Sequence, residues 1–235
     1  MALGSEHTLK AFDEDIDRLR GLISQMGGRA EAAITDAMTA LVRKDLDLAA
    51  RVVENDRKID ELEAEIEKLV VQTIALRAPM ADDLREVVAA LKIVSVVERI
   101  GDYAKNIAKR VPLIAESSGI KPTTLLPAMA QVAGEMVHDV LNAFAARDAD
   151  LAAAVTARDK VVDDFYNSIF RTLVTYMMEN PRHISESAHL LFIAKNIERI
   201  GDHATNVAEM VYFAATGQHL PERERGEHPT EPHGE

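Results

Sequence analysis

Cysteine and tryptophan are absent from the 235 residues, aromatics make up only 4%, and glycine (11) and proline (8) are sparse. Without cysteine there are no disulfides, thiolate metal ligands or cysteine nucleophiles. Few turn-forming and aromatic residues argue against a sandwich or barrel, which leaves an all-α fold as the expectation. Positive charge is also short: 27 Lys and Arg stand against 39 Asp and Glu, a net charge of −12. Such a surface repels phosphate backbones and anionic head groups, so no nucleic acid and no direct membrane insertion are expected. Long apolar runs are missing too. The longest, Val87 to Val97, spans 11 residues and contains Lys92, too few to cross a bilayer. The opening Met1-Ala-Leu-Gly-Ser-Glu-His carries neither the basic nor the apolar region of a signal peptide, so the expected location is the cytoplasm.

What is present is a chain 47% hydrophobic and 28% charged, balanced enough to fold, and written twice. Glu98-Arg-Ile-Gly-Asp102-Tyr-Ala-Lys-Asn106-Ile-Ala returns as Glu198-Arg-Ile-Gly-Asp202-His-Ala-Thr-Asn206-Val-Ala, an offset of 100. Upstream the offset is 103: Lys44-Asp-Leu-Asp-Leu-Ala49 matches Arg147-Asp-Ala-Asp-Leu-Ala152, and Asp56-Arg-Lys-Ile-Asp60 matches Asp159-Lys-Val-Val-Asp163. Two blocks in the same order describe a duplicated unit of about 100 residues.

Each copy reads as three helices. Steps of three and four link Leu9, Phe12, Ile16, Leu19, Ile23, Met26, Ala30, Ala33, Ala37 and Ala40 into one long seam, as in a helix packed nearly antiparallel to a neighbour. Ile59, Leu62, Ile66, Leu69, Thr73 and Leu76 form the second stripe, stopped by Ala78-Pro79. The third helix is expected from near Asp82 to Ser117, with Leu84, Val87, Leu91 and Val94 inward. Copy two breaks at Asn180-Pro181 and ends at Gly217. The expected architecture is therefore two tandem antiparallel three-helix bundles, over 1–118 and 119–217, followed by a solvated acidic tail over 218–235. The tail's His219, His228 and His233 are irregularly spaced and read as incidental.

The acids fall where a core should be. The stripe through Leu84, Val87, Leu91 and Val94 runs into Glu98, Asp102 and Asn106, and Leu191 and Ala194 lead likewise into Glu198, Asp202 and Asn206. Asp159 and Asp163 line up with Val155, Val162, Tyr166 and Phe170, whereas Asp56 and Asp60 continue into Glu63 and Glu67. Carboxylates on a core-facing stripe need a counter-charge or a proton. Either a hard cation such as Mg, Ca, Mn or Fe or a buried Arg–carboxylate network would serve, and the residues leave both open. Arg99 and Arg199 point about 100° away from the acids beside them. Gly101 and Gly201 clear space next to the clusters.

A second metal pattern, Glu135-Met-Val-His138 and Glu186-Ser-Ala-His189, matches the Glu-x-x-His of di-iron bundles. His189 falls on the face opposite Glu198, and neither histidine has a counterpart in copy one, so both read as surface or structural residues. No catalytic nucleophile or triad is suggested, and no catalytic residue or enzymatic activity is expected.

The doubled E-R-I-G-D-x-A-x-N-[IV]-A, the Met26-Gly-Gly28 segment and Leu173-Val-Thr-Tyr-Met-Met178 closely resemble the PhoU family, the phosphate-transport accessory and regulatory proteins of bacteria. The resemblance covers about residues 8 to 217. It implies two bundles related by internal pseudo-symmetry, with metal clusters on Asp56/Asp60, Glu98/Asp102, Asp159/Asp163 and Glu198/Asp202. The metal it implies is divalent or trivalent: iron, zinc, magnesium or manganese. The implied role is to link the ATPase-driven phosphate-specific ABC transporter to a PhoR-type sensor histidine kinase. That link would repress the phosphate-starvation regulon and restrain uptake when phosphate is plentiful. The implied place is the cytoplasm, peripheral to the inner membrane through those partners, and an Ala-rich seam on the first helix favours a homodimer. The competing readings are a metal-independent helical adaptor and a ferritin-like di-iron enzyme.

Overall fold

The computed structural model describes residues 2–115 and 125–220, with side chains from residue 10 onward, and these are helical apart from short turns. The first copy comprises α1 (Ala2–Arg43), α2 (Leu46–Asn55), α3 (Arg57–Arg77), α4 (Asp82–Ala108) and the single turn α5 (Val111–Ala115). The second comprises α6 (Leu125–Ala146), α7 (Ala149–Thr156), α8 (Asp159–Glu179), a 3₁₀ turn Pro181–His183 and α9 (Ile184–Thr216). The expected boundary at 118/119 and the tail from 221 onward, His228 and His233 included, lie outside the described residues.

Ion pairs set the directions. Arg77 meets Asp15 at 2.9 Å and Arg18 meets Glu65 at 2.9 Å, so α1 and α3 run antiparallel. Ile59 lies over Gly101 while Asp56 reaches Lys105, so α3 and α4 are antiparallel as well. The two bundles are not beads on a string. α4 packs along α9 and α1 along α6, which makes α1, α4, α6 and α9 a shared centre, with α3 and α8 laid on the outside. One continuous core results, running from Ile16, Met26 and Ala37 through Val94 and Ile100 to Met136, Ile193 and Ile200.

The expected seam of α1 is buried at Ile16, Leu19, Ile23, Met26, Ala30, Ala37 and Ala40, and it is wider than anticipated. Ile34, Met38 and Leu41 are buried beside it, and a side chain at Gly27 would collide with Leu141. A single stripe serves one neighbour, whereas α1 touches both α4 and α6. Two residues expected inward are not: Leu84 is 38% exposed and Leu76 is 72% exposed, at the ends of their helices.

Each copy also holds a short helix beyond the expected three. Lys44 and Arg147 take φ of 56° and 54°, reversing the chain. The next residues, Asp45 and Asp148, then accept from the backbone N–H of Leu48 (2.8 Å) and Leu151 (2.9 Å) and start α2 and α7. The Asp lies in the extended region where N-caps belong. The third helix stops earlier than Ser117, at Ala108, and turns into α5. Ala78, left-handed at φ 48° before Pro79, ends α3, and Gly217 at φ 73° ends α9, both as expected.

Candidate functional site: two acid clusters back to back

The repeated motif lies at the middle of the α4/α9 seam, where Tyr103 and His203, counterparts in the two copies, meet edge-on with ring centroids 5.2 Å apart. Burial and the nearby Arg99 hold the His203 imidazole below its ordinary range, against a hydrogen bond from its ring to the Arg199 carbonyl. From this junction the acids point outward, each set towards its own outer helix.

In the first cluster α3 brings Asp56, Asp60 and Glu63 against Glu98 and Asp102 of α4. Gly101 makes this approach close, because Ile59 of α3 fills the place of its missing side chain and Asp56 lies alongside. Asp56 is buried, Glu98, Asp102 and Glu63 are half-buried and Asp60 is exposed. Lys105 is the cation of the group, bonded to Asp56 and to Asp102 (2.5 Å). Burial works against its charge, yet the hydrogen bonds to Asp102 and Asp56 prevail and raise its pKa. One ammonium does not balance five carboxylates. Burial, followed by repulsion from Asp102, Glu63 and Asp60, pushes Glu98 up to about 7. Burial and the neighbouring acids raise Asp60 and Glu63 as well, Ser95 partly relieving Glu63 by a hydrogen bond.

In the second cluster α8 brings Asp159 and Asp163 against Glu198 and Asp202 of α9. Val162, the counterpart of Ile59, lies over Gly201. Here the acids go deeper: Glu198 is 1% exposed and Asp163 is buried. Thr205 stands where the first copy has Lys105 and bonds the Gly201 carbonyl (3.1 Å) and Asp159 (3.4 Å). The cation comes from the other side of the motif, Lys195 donating to Glu198 at 2.6 Å and lying 5.2 Å from the Tyr166 ring.

All four sequence-identified acid pairs are thus assembled two by two, α3 with α4 and α8 with α9. Among the described residues no group of three His, Asp or Glu side chains is arranged to hold an ion as it stands. The lysines were missed by the sequence reading. Their signal was local, an acid three residues away at Asp102 and at Glu198. Also missed was Glu86, buried on α4 and bonded to Arg20 of α1 and to Arg147 at the α6/α7 turn (3.3 Å). This is an Arg–carboxylate network joining the two copies, and Glu86 and Glu186 share the offset of 100. Arg99 and Arg199 are exposed, the latter 5.8 Å from the Tyr103 ring. The Glu-x-x-His residues are engaged away from both clusters. His138 meets Glu31 at 3.0 Å, Glu135 accepts from Gln131, and His189 bonds Arg110 at 3.0 Å.

The PhoU domain model matches residues 23–111 and 126–211, once per copy. A phosphate-specific transport system accessory protein PhoU homolog of Zymomonas mobilis is 56% identical over 94% of this chain and 93% of its own length. A homolog of the same name from Caulobacter vibrioides is 46% identical over 92% of this chain and 94% of its own. The crystal structure of PhoU from Pseudomonas aeruginosa superposes with a TM-score of 0.85 at 38% identity, covering 88% of this chain and 100% of that one. The doubled acid motif, its two-by-two assembly and these matches along both copies place the chain in the PhoU family.

Proposed function

We propose that this protein is a regulator of phosphate homeostasis. It couples the phosphate-specific ABC transporter to a PhoR-type sensor kinase, represses the phosphate-starvation response and restrains uptake when phosphate is plentiful. The observation that carries the reading is the assembly of both E-R-I-G-D copies at one junction, each holding a carboxylate cluster on an outer face. Relatives named as accessory proteins of the phosphate-specific transport system support it. So does the absence, among the described residues, of any helix long and apolar enough to cross a membrane: contact with membrane partners would be through protein surfaces.

The first cluster suits a hard cation in its donor chemistry, all oxygen and short of positive charge, as Glu98 at about 7 attests. Asp60, Glu63, Glu98 and Asp102 would hold it, with Asp56 and Lys105 behind them. A bound cation supplies the missing charge and ties α3 to α4. The second cluster, with Asp159, Asp163, Glu198 and Asp202, carries Lys195 on its most buried acid. The lysine in each cluster favours a second reading, an adaptor whose acids are structural and need no metal.

The experiment is depletion of the protein in phosphate-replete cells carrying an alkaline phosphatase reporter. The reporter is expected to switch on despite ample phosphate. If reporter and phosphate uptake both stay at wild-type levels, the regulatory reading fails. For the metal, equilibrium dialysis with Mg²⁺, Mn²⁺, Zn²⁺ or Fe²⁺ is expected to load the wild type and not E98Q/D102N. Equal loading, or none in either, leaves the adaptor reading.

A further inference from the structure

A groove of about 940 Å³ runs between the N-terminal half of α4 and the C-terminal half of α9, and Ser95 on its wall also bonds Glu63 of the first cluster. It is long and shallow: its α4 side extends from Leu84 to Arg99, about 22 Å at helical rise. Half of its lining is apolar, in a strip between polar residues. Leu84 (38% exposed) and Val88 (37%) face Met210 and Phe213 across it. Along one rim stand Arg85, Lys92 and Arg99, spaced seven residues apart and therefore on one face of α4. Among the described lining residues Glu209 is the single carboxylate. Asp82 holds Arg85 at 2.7 Å, so the exposed Lys92 and Arg99 give this rim its positive sign in a chain of net charge −12.

The row is also specific to this half of the molecule. The residues 100 positions on from Leu84, Arg85, Val88 and Lys92 are Ile184, Ser185, Ala188 and Phe192. There the Arg110 guanidinium lies 4.1 Å from the ring of Phe192, which is itself 56% exposed. Duplication alone would have left the two halves alike. The halves differ in charge rather than in cover: Arg85 and Lys92 have no cationic counterpart, and Phe213 in this half stacks on His219 at 4.7 Å.

We propose that the α4/α9 groove docks an acidic amphipathic helix of a partner protein. Its apolar stripe would lie on Leu84, Val88, Met210 and Phe213, and two carboxylates at heptad spacing would pair with Lys92 and Arg99. The trough length matches about four turns of helix, and the charge pattern fixes both the sign and the spacing of the occupant. The inference stands whether or not the acid clusters bind metal.

The test uses the full chain and a fluorescein-labelled 18-residue helical peptide with a leucine seam flanked by glutamates, followed by anisotropy. One-to-one binding is expected. It should weaken at least tenfold in K92E/R99E, whose two positions are exposed, and in Leu84→Ser/Val88→Ser. It should stay within twofold in K68E/K160E, which changes the net charge equally at exposed positions elsewhere. Circular dichroism and thermal melting establish that each variant is folded. The proposal is overturned if a lysine-for-glutamate peptide binds as well, or if K68E/K160E weakens binding as much as K92E/R99E. It is equally overturned if binding appears only after residues 221–235 are removed, which would make the chain's own acidic end the occupant. Sedimentation that shows a dimer dissociated by K92E/R99E would assign the groove to a second copy and overturn it too.

Discussion

The two acid clusters descend from one sequence and solve the same problem differently. Each has four motif carboxylates, one glycine under an aliphatic side chain of the outer helix, and one lysine. The lysine is Lys105 in the first copy, with Ser95 nearly three turns earlier. In the second it is Lys195, with Thr205 at the later position. The exchange is reciprocal, so each cluster keeps a lysine while its place changes. Lys105 bridges Asp56 and Asp102 and leaves Glu98 to be repelled, whereas Lys195 sits on Glu198, the most buried acid of either set. The comparison teaches that charge balance was kept per cluster rather than per position. It also shows that the first cluster is left more electronegative and more open to solvent.

Breaking the comparison at the lysines gives the largest expected effect. Lys195→Ala removes the cation bonded to a carboxylate that is 1% exposed and should cost about 2–4 kcal/mol in urea unfolding, most of it restored by adding Glu198→Gln. Lys105→Ala, in a half-exposed cluster, should cost about 1–2 kcal/mol at pH 8 and less at pH 5.5, where Glu98 is protonated and no longer repels its neighbours. Equal losses with equal pH dependence would erase the distinction between the clusters.

The pH profile sharpens it next. A Glu98 carboxyl raised from 4.5 to about 7 binds its proton more readily in the folded chain. Its contribution to stability is complete below the unfolded value near 4.5 and is lost as pH rises through about 7. Screening at this half-buried position leaves about 1–2 kcal/mol of the effect. The wild type should therefore melt at lower temperature at pH 8 than at pH 5.5. Glu98→Gln should flatten that slope and raise the melting temperature at pH 8. Glu198→Gln should not reproduce the flattening.

The smallest expected difference lies at the glycines. A methyl on Gly101 would come within 2.7 Å of Ile59, and one on Gly201 within 3.3 Å of Val162. Gly101→Ala should cost about 1 kcal/mol after the gain in helix propensity. Gly201→Ala should be near neutral, a difference of a few degrees in Tm.

Much of this was legible in the sequence because it rests on local periodicity. The long seam of α1 from Ile16 to Ala40, the stop at Ala78-Pro79, the end at Gly217 and the four acid pairs all follow from spacing along one helix. Their pairing, α3 with α4 and α8 with α9, followed from the duplication and from acids sharing an apolar stripe. What escaped depends on more than one neighbour. Leu84 carries the stripe of α4 but sits beyond the reach of the core, on the wall of the groove. Gly27 and Met38 look incidental until α6 is placed against α1. Glu86 resembles any helix-face glutamate until Arg20 and Arg147 converge on it from two other elements.

The sequence by itself determined the helices, the duplication, and which carboxylates share a helix face, because the helix period fixes it. Only the tertiary structure decided that the two copies share one core along α4/α9 and α1/α6, that each cluster takes its charge from a different lysine, and that a groove lies between α4 and α9. Those outcomes depend on side chains from separate helices meeting in space, where burial and charge are set jointly by groups far apart in the chain.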